Sequence, residues 1–291
     1  MKSWIWILVA VLVVGGLVYY FARPEVEDIS EGLTGTVVII GSDTMVDLGA
    51  VWAEEYMKIN PGISVSVTGG GSGVGLKALI DGTTDIAQSS RAMKSEEIEK
   101  AKNNGIEPYE FMVGKDGLSV IVHPDNPVVD LSREKLSLVF QGKIINWKEL
   151  GWDDKPILLL SREATSGTHI FFKENIVQLT DKKAEYSPTA LLLPSSSAIV
   201  REVAANKFAI GYVGLGFVKP EVKALLVAKD KDSPSVYPTI EAVEKGDYPI
   251  SRPLFFYTKG EPSGVVKHFL DFVLGPVGQK ILGELEFVPI K

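Results

Sequence analysis

From residue 36 onward, short β-branched runs alternate with helical stretches, and this restricts the chain to an α/β fold built on a mostly parallel sheet. Thr36-Val-Val-Ile-Ile40, Ile63-Ser-Val-Ser-Val67, Leu118-Ser-Val-Ile-Val122 and Ile157-Leu-Leu-Leu160 read as strands. One helix shows its period in full. Met45, Leu48, Trp52, Tyr56 and Ile59 recur at spacings of three and four, with Asp47, Glu54, Glu55 and Lys58 between them, until Pro61-Gly62 stops the run. Further helices are expected over residues 74–80, 95–103, 133–140, 168–177, 198–207 and 265–274.

The N-terminus is of another kind. Every residue from Trp4 to Ala22 is apolar, aromatic or glycine, with Lys2 before the run and Arg23, Glu25, Glu27 and Asp28 after it. At about 1.5 Å per helical residue that length crosses the hydrocarbon core of a bilayer. A removable secretory signal is the competing reading. The run ends in Tyr-Tyr-Phe-Ala-Arg-Pro without a small-x-small cleavage site, which favours an uncleaved anchor over residues 4–22. Either reading exports the folded part, with Pro24 to Leu33 as a polar tether and residues 1–34 as the N-terminal module.

A formal net charge of −7 over 291 residues argues against a nucleic-acid partner, so any anion must be held locally. There is no cysteine, which excludes a disulfide, a thiolate metal site, a Cys nucleophile and a lipid-modified N-terminal Cys.

Four segments follow expected strands and consist of small or polar residues before a helix: Gly41-Ser-Asp-Thr44, Gly69-Gly-Gly-Ser-Gly73, Gln88-Ser-Ser-Arg91 and Ser161-Arg-Glu-Ala-Thr-Ser-Gly-Thr168. In an open α/β sheet the carboxyl ends of parallel strands share one edge, and ligands bind there. Helix N-termini carry free N–H groups and a positive dipole end, Ser and Thr add neutral donors, and Arg162 can grip two oxygens of an oxyanion. A small tetrahedral oxyanion is the ligand such a set suits. Each segment alone also reads as N-caps and turn chemistry, and Arg162 alone as a surface ion pair with Glu163 or a neighbour.

Enzyme signatures are missing. The glycine run G-G-G-S-G-V-G lacks the G-x-G-x-x-G register, no G-x-x-x-x-G-K-[ST] occurs, and neither Ser72 nor Ser166 sits in G-x-S-x-G. His123, His169 and His268 are far apart in the chain and suggest surface or capping roles, with His169 beside Thr168 a candidate for tuning the cleft. No catalytic residue, cofactor or metal is expected. A phosphatase using Ser72 or Ser166 is the rival from the enzyme class.

The order of these four segments, with the glycine run continuing to Leu79, Asp85-Ile-Ala leading into the third, and Phe208-Ala-Ile-Gly-Tyr-Val213 as a fifth, resembles the phosphate-binding proteins of phosphate ABC importers. The match covers essentially everything after residue 34. The resemblance implies a two-lobed periplasmic-binding-protein-like fold (type II) with the ligand in the interlobe cleft, residues 35–114 plus 254–291 forming one lobe and 115–253 the other. It implies a site drawn from Ser42, Asp43, Thr44, Ser72, Gly73, Ser90, Arg91, Arg162, Ser166, Gly167 and Thr168. The implied partners are inorganic phosphate and ABC permease subunits, with the chain itself a monomer. Binding or sensing of sulfate, molybdate, phosphonate or arsenate is the alternative within the binding class.

One departure is informative. Well-known bacterial members carry, at the end of the third segment, an aspartate that accepts the phosphate proton; Ser90 stands there instead. Asp43 occupies a first-loop position where those members place a neutral hydroxyl, so an exchange of places is expected, with Asp43 as the filter between phosphate and sulfate. Its competing role is an N-cap of the following helix. Arg91 is expected either to add a second cation or to brace its loop.

Overall fold

The computed structural model describes residues 33–290. The apolar stretch 4–22 and most of the tether lie outside them, and among the described residues no helix is long and apolar enough to cross a membrane. The chain runs β1 (Gly35–Gly41), α1 (Val46–Ile59), β2 (Ile63–Thr68), α2 (Ser72–Ile80), β3 (Ile86–Ser89) and α3 (Ser95–Asn103). The long β4 (Pro108–Val122) follows, then β5 (Asp130–Ser132), α4 (Arg133–Phe140), β6 (Leu158–Arg162), α5 (Gly167–Phe172), β7 (Leu191–Leu193), α6 (Ser196–Ala205) and β8 (Ala209–Gly214). Short strands β9 (Lys223–Ala224), β10 (Leu226–Ala228) and β11 (Ser235–Val236) and helix α7 (Ile240–Lys245) lead to β12 (Ser251–Lys259), α8 (Gly264–Leu274) and α9 (Pro276–Glu284).

One sheet has the order β2-β1-β3-β12-β4-β8-β6-β7, with β9 also on β4; β11-β10-β5 form a second, small one. Strands β1, β2 and β3 are parallel, as are β6, β7 and β8, so each half of the large sheet has its own edge of carboxyl ends. Strand β4 joins the halves. Its first part pairs with β12 from Pro108 to Gly117, and its last part pairs with β8 from Leu118 to Val122. The register slips between Leu254 and Phe255, a bulge that bends the β4–β12 ribbon where it passes from one half to the other.

Burial explains the helix most legible in the sequence. Along α1 the side chains of Leu48, Trp52 and Tyr56 are buried, Trp52 standing edge-on to Phe256 with ring centroids 5.7 Å apart and donating Nε1–H to Gly278 O at 2.8 Å. Ile59, counted in the same stripe, is 63% exposed at the helix end. Other departures are local. Helix α6 starts before the expected residue 198 because Ser195 caps it, accepting from Ala198 N. The stretch expected as one helix over 168–177 ends its α turns at Phe172 and continues as a wider π turn over Lys173–Val177.

Candidate functional site

Each half contributes loops at its strand carboxyl ends. From the first, Gly41 at the end of β1 leads into a 3₁₀ turn over Asp43–Met45, Thr68 at the end of β2 leads into the glycine run and α2, and Ser89 at the end of β3 leads into Ser90. From the second, Arg162 ends β6, and Ser166 caps α5 by accepting from Thr168 N at 3.2 Å. The two sets touch. Gly73 N–H donates to Thr165 O at 3.1 Å, and a Cβ on Gly71, whose φ is +95°, would lie 2.7 Å from that same carbonyl oxygen. A Cβ on Gly167 would come within 2.5 Å of Ser90 Oγ and closer still to Ser72 Oγ. Gly71 therefore lets backbone meet backbone between the two sets, and Gly167 lets the Ser72 and Ser90 hydroxyls come up to the α5 backbone.

At the centre, Arg162 is 1% exposed and crosses to the first half, its NH2 reaching Asp43 Oδ2 at 2.7 Å. Its own half holds it through Leu193 O on Nε (3.3 Å), Pro194 O on NH2 (2.8 Å) and Ser196 Oγ on NH1 (3.2 Å). A guanidinium has about five N–H donors. Four contacts leave one on NH1, so the two-oxygen grip expected of Arg162 requires Asp43 or Pro194 to yield. Asp43 accepts from Gly70 N at 2.8 Å through its other oxygen, and its side chain is not an N-cap: Ser42 holds the cap position, without a side-chain cap bond.

Beside this pair, Thr44 Oγ1 and Thr168 Oγ1 are 2.8 Å apart, one from each half. Ser72 Oγ accepts from Ser90 N at 3.0 Å and lies 3.3 Å from Ser90 Oγ. Ser42 enters through its backbone, exchanging bonds with Gln88. The structure thus brings Asp43, Thr44, Ser72, Gly73, Ser90, Arg162, Ser166, Gly167 and Thr168 together. Arg91 does not join them: its guanidinium forms a two-bond fork with Glu97, at 2.8 and 2.7 Å, and braces its loop onto α3. Burial alone would push the Glu97 carboxyl up, and the bonds from Arg91 and Lys94 N–H outweigh it and hold the group below its ordinary value.

Two further residues reach the cluster. Arg252 on β12 donates from NH2 to Thr44 Oγ1 (3.2 Å), Thr168 Oγ1 (3.0 Å) and Asp116 Oδ2 (2.8 Å), and Nε also meets Asp116 Oδ2 at 3.1 Å. Burial pushes the Asp116 carboxyl up while the Arg252 guanidinium pulls it down. The only sequence signal for the pair is a charge interrupting the apolar run around Pro253-Leu-Phe-Phe-Tyr257. Behind the anion loop, His169 Nδ1–H donates to Arg162 O at 2.7 Å, and burial lowers the imidazole pKa.

Chemically, the cluster is a buried collection of hydroxyl donors and two guanidinium groups, each matched by one carboxylate, so a negative chain still carries a local site for an anion. A cavity of about 300 Å³ also opens beside Thr44, walled by Leu48, Val200, Phe217 and Phe287 among others. Its mainly apolar wall does not suit a small oxyanion, and the polar cluster that shares Thr44 is the better candidate.

The chain matches the family model described as the PBP superfamily domain over residues 27–277. It is 30% identical over 286 residues to the phosphate-binding protein PstS of Pseudomonas aeruginosa, covering 92% of this chain and 87% of that protein. It is 33% identical over 255 residues to the protein of the same name from Staphylococcus epidermidis, covering 85% of this chain and 77% of that one. Among solved structures, a phosphate-bound substrate-binding protein assigned to a phosphate ABC transporter of Clostridium perfringens aligns with TM-score 0.79 at 32% identity, covering 88% of this chain and all of that one (100%). An ABC-type phosphate transport receptor from Vibrio cholerae aligns with TM-score 0.70 at 31% identity, covering 87% and 99%.

Proposed function

Because the chain belongs to the PBP superfamily and, within it, to the family of the phosphate-binding proteins PstS, we propose that it is the substrate-binding component of an ABC importer and takes inorganic phosphate at the cluster around Arg162. The observation that carries this reading is the joining of Asp43, Thr44, Ser72 and Ser90 from one half of the sheet with Arg162, Ser166, Gly167 and Thr168 from the other, all beside the ion pair at 2.7 Å.

Residues 35–114 with 254–291 form one lobe and 115–253 the other in this reading, with the crossing of β4 and β12 as hinge. In its support, β4 changes partner at Gly117–Leu118, and Gly114 pairs with Leu254 at the bulge. Opening separates Thr44 from Thr168 and Asp43 from Arg162. An entering anion takes the freed donors, and contacts from both lobes then favour the closed state, which the permease can distinguish from the open one. Asp43 acts as the filter. Each carboxylate oxygen has two acceptor positions, so it can take the O–H of monohydrogen phosphate while keeping Arg162, whereas fully deprotonated sulfate meets only repulsion.

No reaction is proposed, and His169, turned to Arg162 O, is not set to activate Ser72 or Ser166. The folded part is placed outside the cell as a monomer, held to the membrane by residues 4–22, with permease subunits as partners. The test is isothermal titration of the full-length chain, stripped of bound anion, with phosphate and then sulfate at neutral pH. One-to-one phosphate binding without a sulfate response is expected. Equal sulfate binding, or no heat from phosphate, overturns the assignment.

A further inference from the structure

We propose that Arg252 is a positioning residue which fixes the Thr44 and Thr168 hydroxyls as hydrogen-bond donors toward the anion, and so sets the ionic form of phosphate that is accepted. The inference rests on the phosphate reading given above.

A guanidinium has no acceptor, while each threonine hydroxyl has one hydrogen and two lone pairs. Of the two hydrogens on Arg252 NH2 one goes to Asp116 Oδ2, and the other is shared between the Thr44 and Thr168 Oγ1 atoms, at 3.2 and 3.0 Å, which are themselves 2.8 Å apart. One threonine hydrogen serves the bond between them. The other has no acceptor within this triangle, since Arg252 can only donate. An anion oxygen can take that hydrogen at once, and both hydrogens when it displaces the Thr44–Thr168 bond. A protonated phosphate oxygen needs an acceptor and finds none here; Asp43 is the carboxylate that offers one. The phosphate oxygen at this triangle must therefore be unprotonated, which favours the dianion, with one O–H fewer than the monoanion.

Arg252 cannot itself swing to the ligand. It is 1% exposed, and Nε and NH2 are both tied to Asp116, whose other oxygen accepts from Leu215 N at 3.2 Å. Its NH1 has no hydrogen-bond partner, and the guanidinium carbon lies 5.8 Å from the centroid of the Phe171 ring. The charged or titratable groups facing it are Asp116 on β4, Arg162 on β6 and Tyr212 on β8.

The test is a pair of substitutions, Asp116→Asn with Arg252→Met, which avoids a lone buried charge and keeps an acceptor for Leu215 N–H. Phosphate affinity is titrated in the wild-type background and in Thr168→Val, at pH values spanning the second ionisation of phosphate. The expected result is a loss of about tenfold or more in the wild-type background. A clearly smaller loss follows in Thr168→Val, and the weakening of binding on the acid side becomes shallower. Should the pair fail to fold, Arg252→Lys keeps the charge without the rigid fork and is expected to move both readouts the same way. Equal losses in both backgrounds, or none, overturn the inference and leave the phosphate reading intact. Wild-type protein that gives no heat with phosphate overturns both.

Discussion

The Asp43→Asn substitution keeps the shape of the side chain and removes its charge. In the structure the carboxylate takes Arg162 NH2 at 2.7 Å on one oxygen and Gly70 N–H at 2.8 Å on the other. An amide can accept from only one of them, and its NH2 must then face the other donor. Arg162 keeps Leu193 O, Pro194 O and Ser196 Oγ, so the loss is one charged hydrogen bond and one mismatch. With Asp43 19% exposed and partly screened, this amounts to about 2 kcal/mol. For a domain of this size that is roughly a 4 °C fall in melting temperature in phosphate-free buffer. Phosphate should widen the gap, because the variant lacks the acceptor for the phosphate proton, binds the anion less tightly and is stabilised less by it. Selectivity should shift as well: phosphate loses the acceptor for its proton while sulfate loses a repulsion, so the preference narrows by roughly tenfold to a hundredfold. Thermal melts with and without phosphate, together with calorimetric titration by both anions, read all three quantities. A variant that still strongly prefers phosphate refutes the filter role, and a melting gap that phosphate leaves untouched or narrows refutes the loss of phosphate affinity.

Gly167→Ala places a methyl group on Ser72 Oγ and Ser90 Oγ, so closure is blocked and phosphate affinity should fall by about a hundredfold, with a near-native circular dichroism spectrum. Burial holds the His169 pKa below its ordinary value, so the unfolded chain takes up a proton there before the folded one does. Stability is complete above the ordinary histidine range and is lost as pH falls toward the depressed value; His169→Gln should flatten that part of a melting-temperature profile. Trp52→Ala empties a fully buried site and removes the bond to Gly278 O, and urea titration should show a loss of about 3–5 kcal/mol.

What the sequence disclosed follows the range of the interactions. The 3.6-residue period of α1 and the spans of α3 and α4 are local properties, and the expected bounds 95–103 and 133–140 coincide with the helices observed. Strand-to-helix loops of small residues were visible for the same reason, since cap and turn chemistry is written within a few positions. The first part of β4 was not visible. Pro108-Tyr-Glu-Phe-Met-Val-Gly-Lys-Asp-Gly117 carries charges and glycines that break any apolar run, and it is a strand because β12 lies against it. Arg252 escaped notice likewise, its carboxylate partner standing 136 positions away. The two- and three-residue strands of the small sheet are too short to leave a pattern.

The position of β12 between β3 and β4 also bears on how the chain comes into being. Met93 N–H bonds to Tyr257 Oη across 164 positions, so a chain delivered from its N-terminus presents β1, β2 and β3 early and their remaining neighbour late. Until then β3, buried along its whole length in the finished protein, offers an open edge of Ile86-Ala87-Gln88-Ser89 to any other unpaired strand. The half around β6 and β8 has its strands in hand much sooner. A chain cut short after residue 250 therefore leaves that edge unpaired and open to self-association.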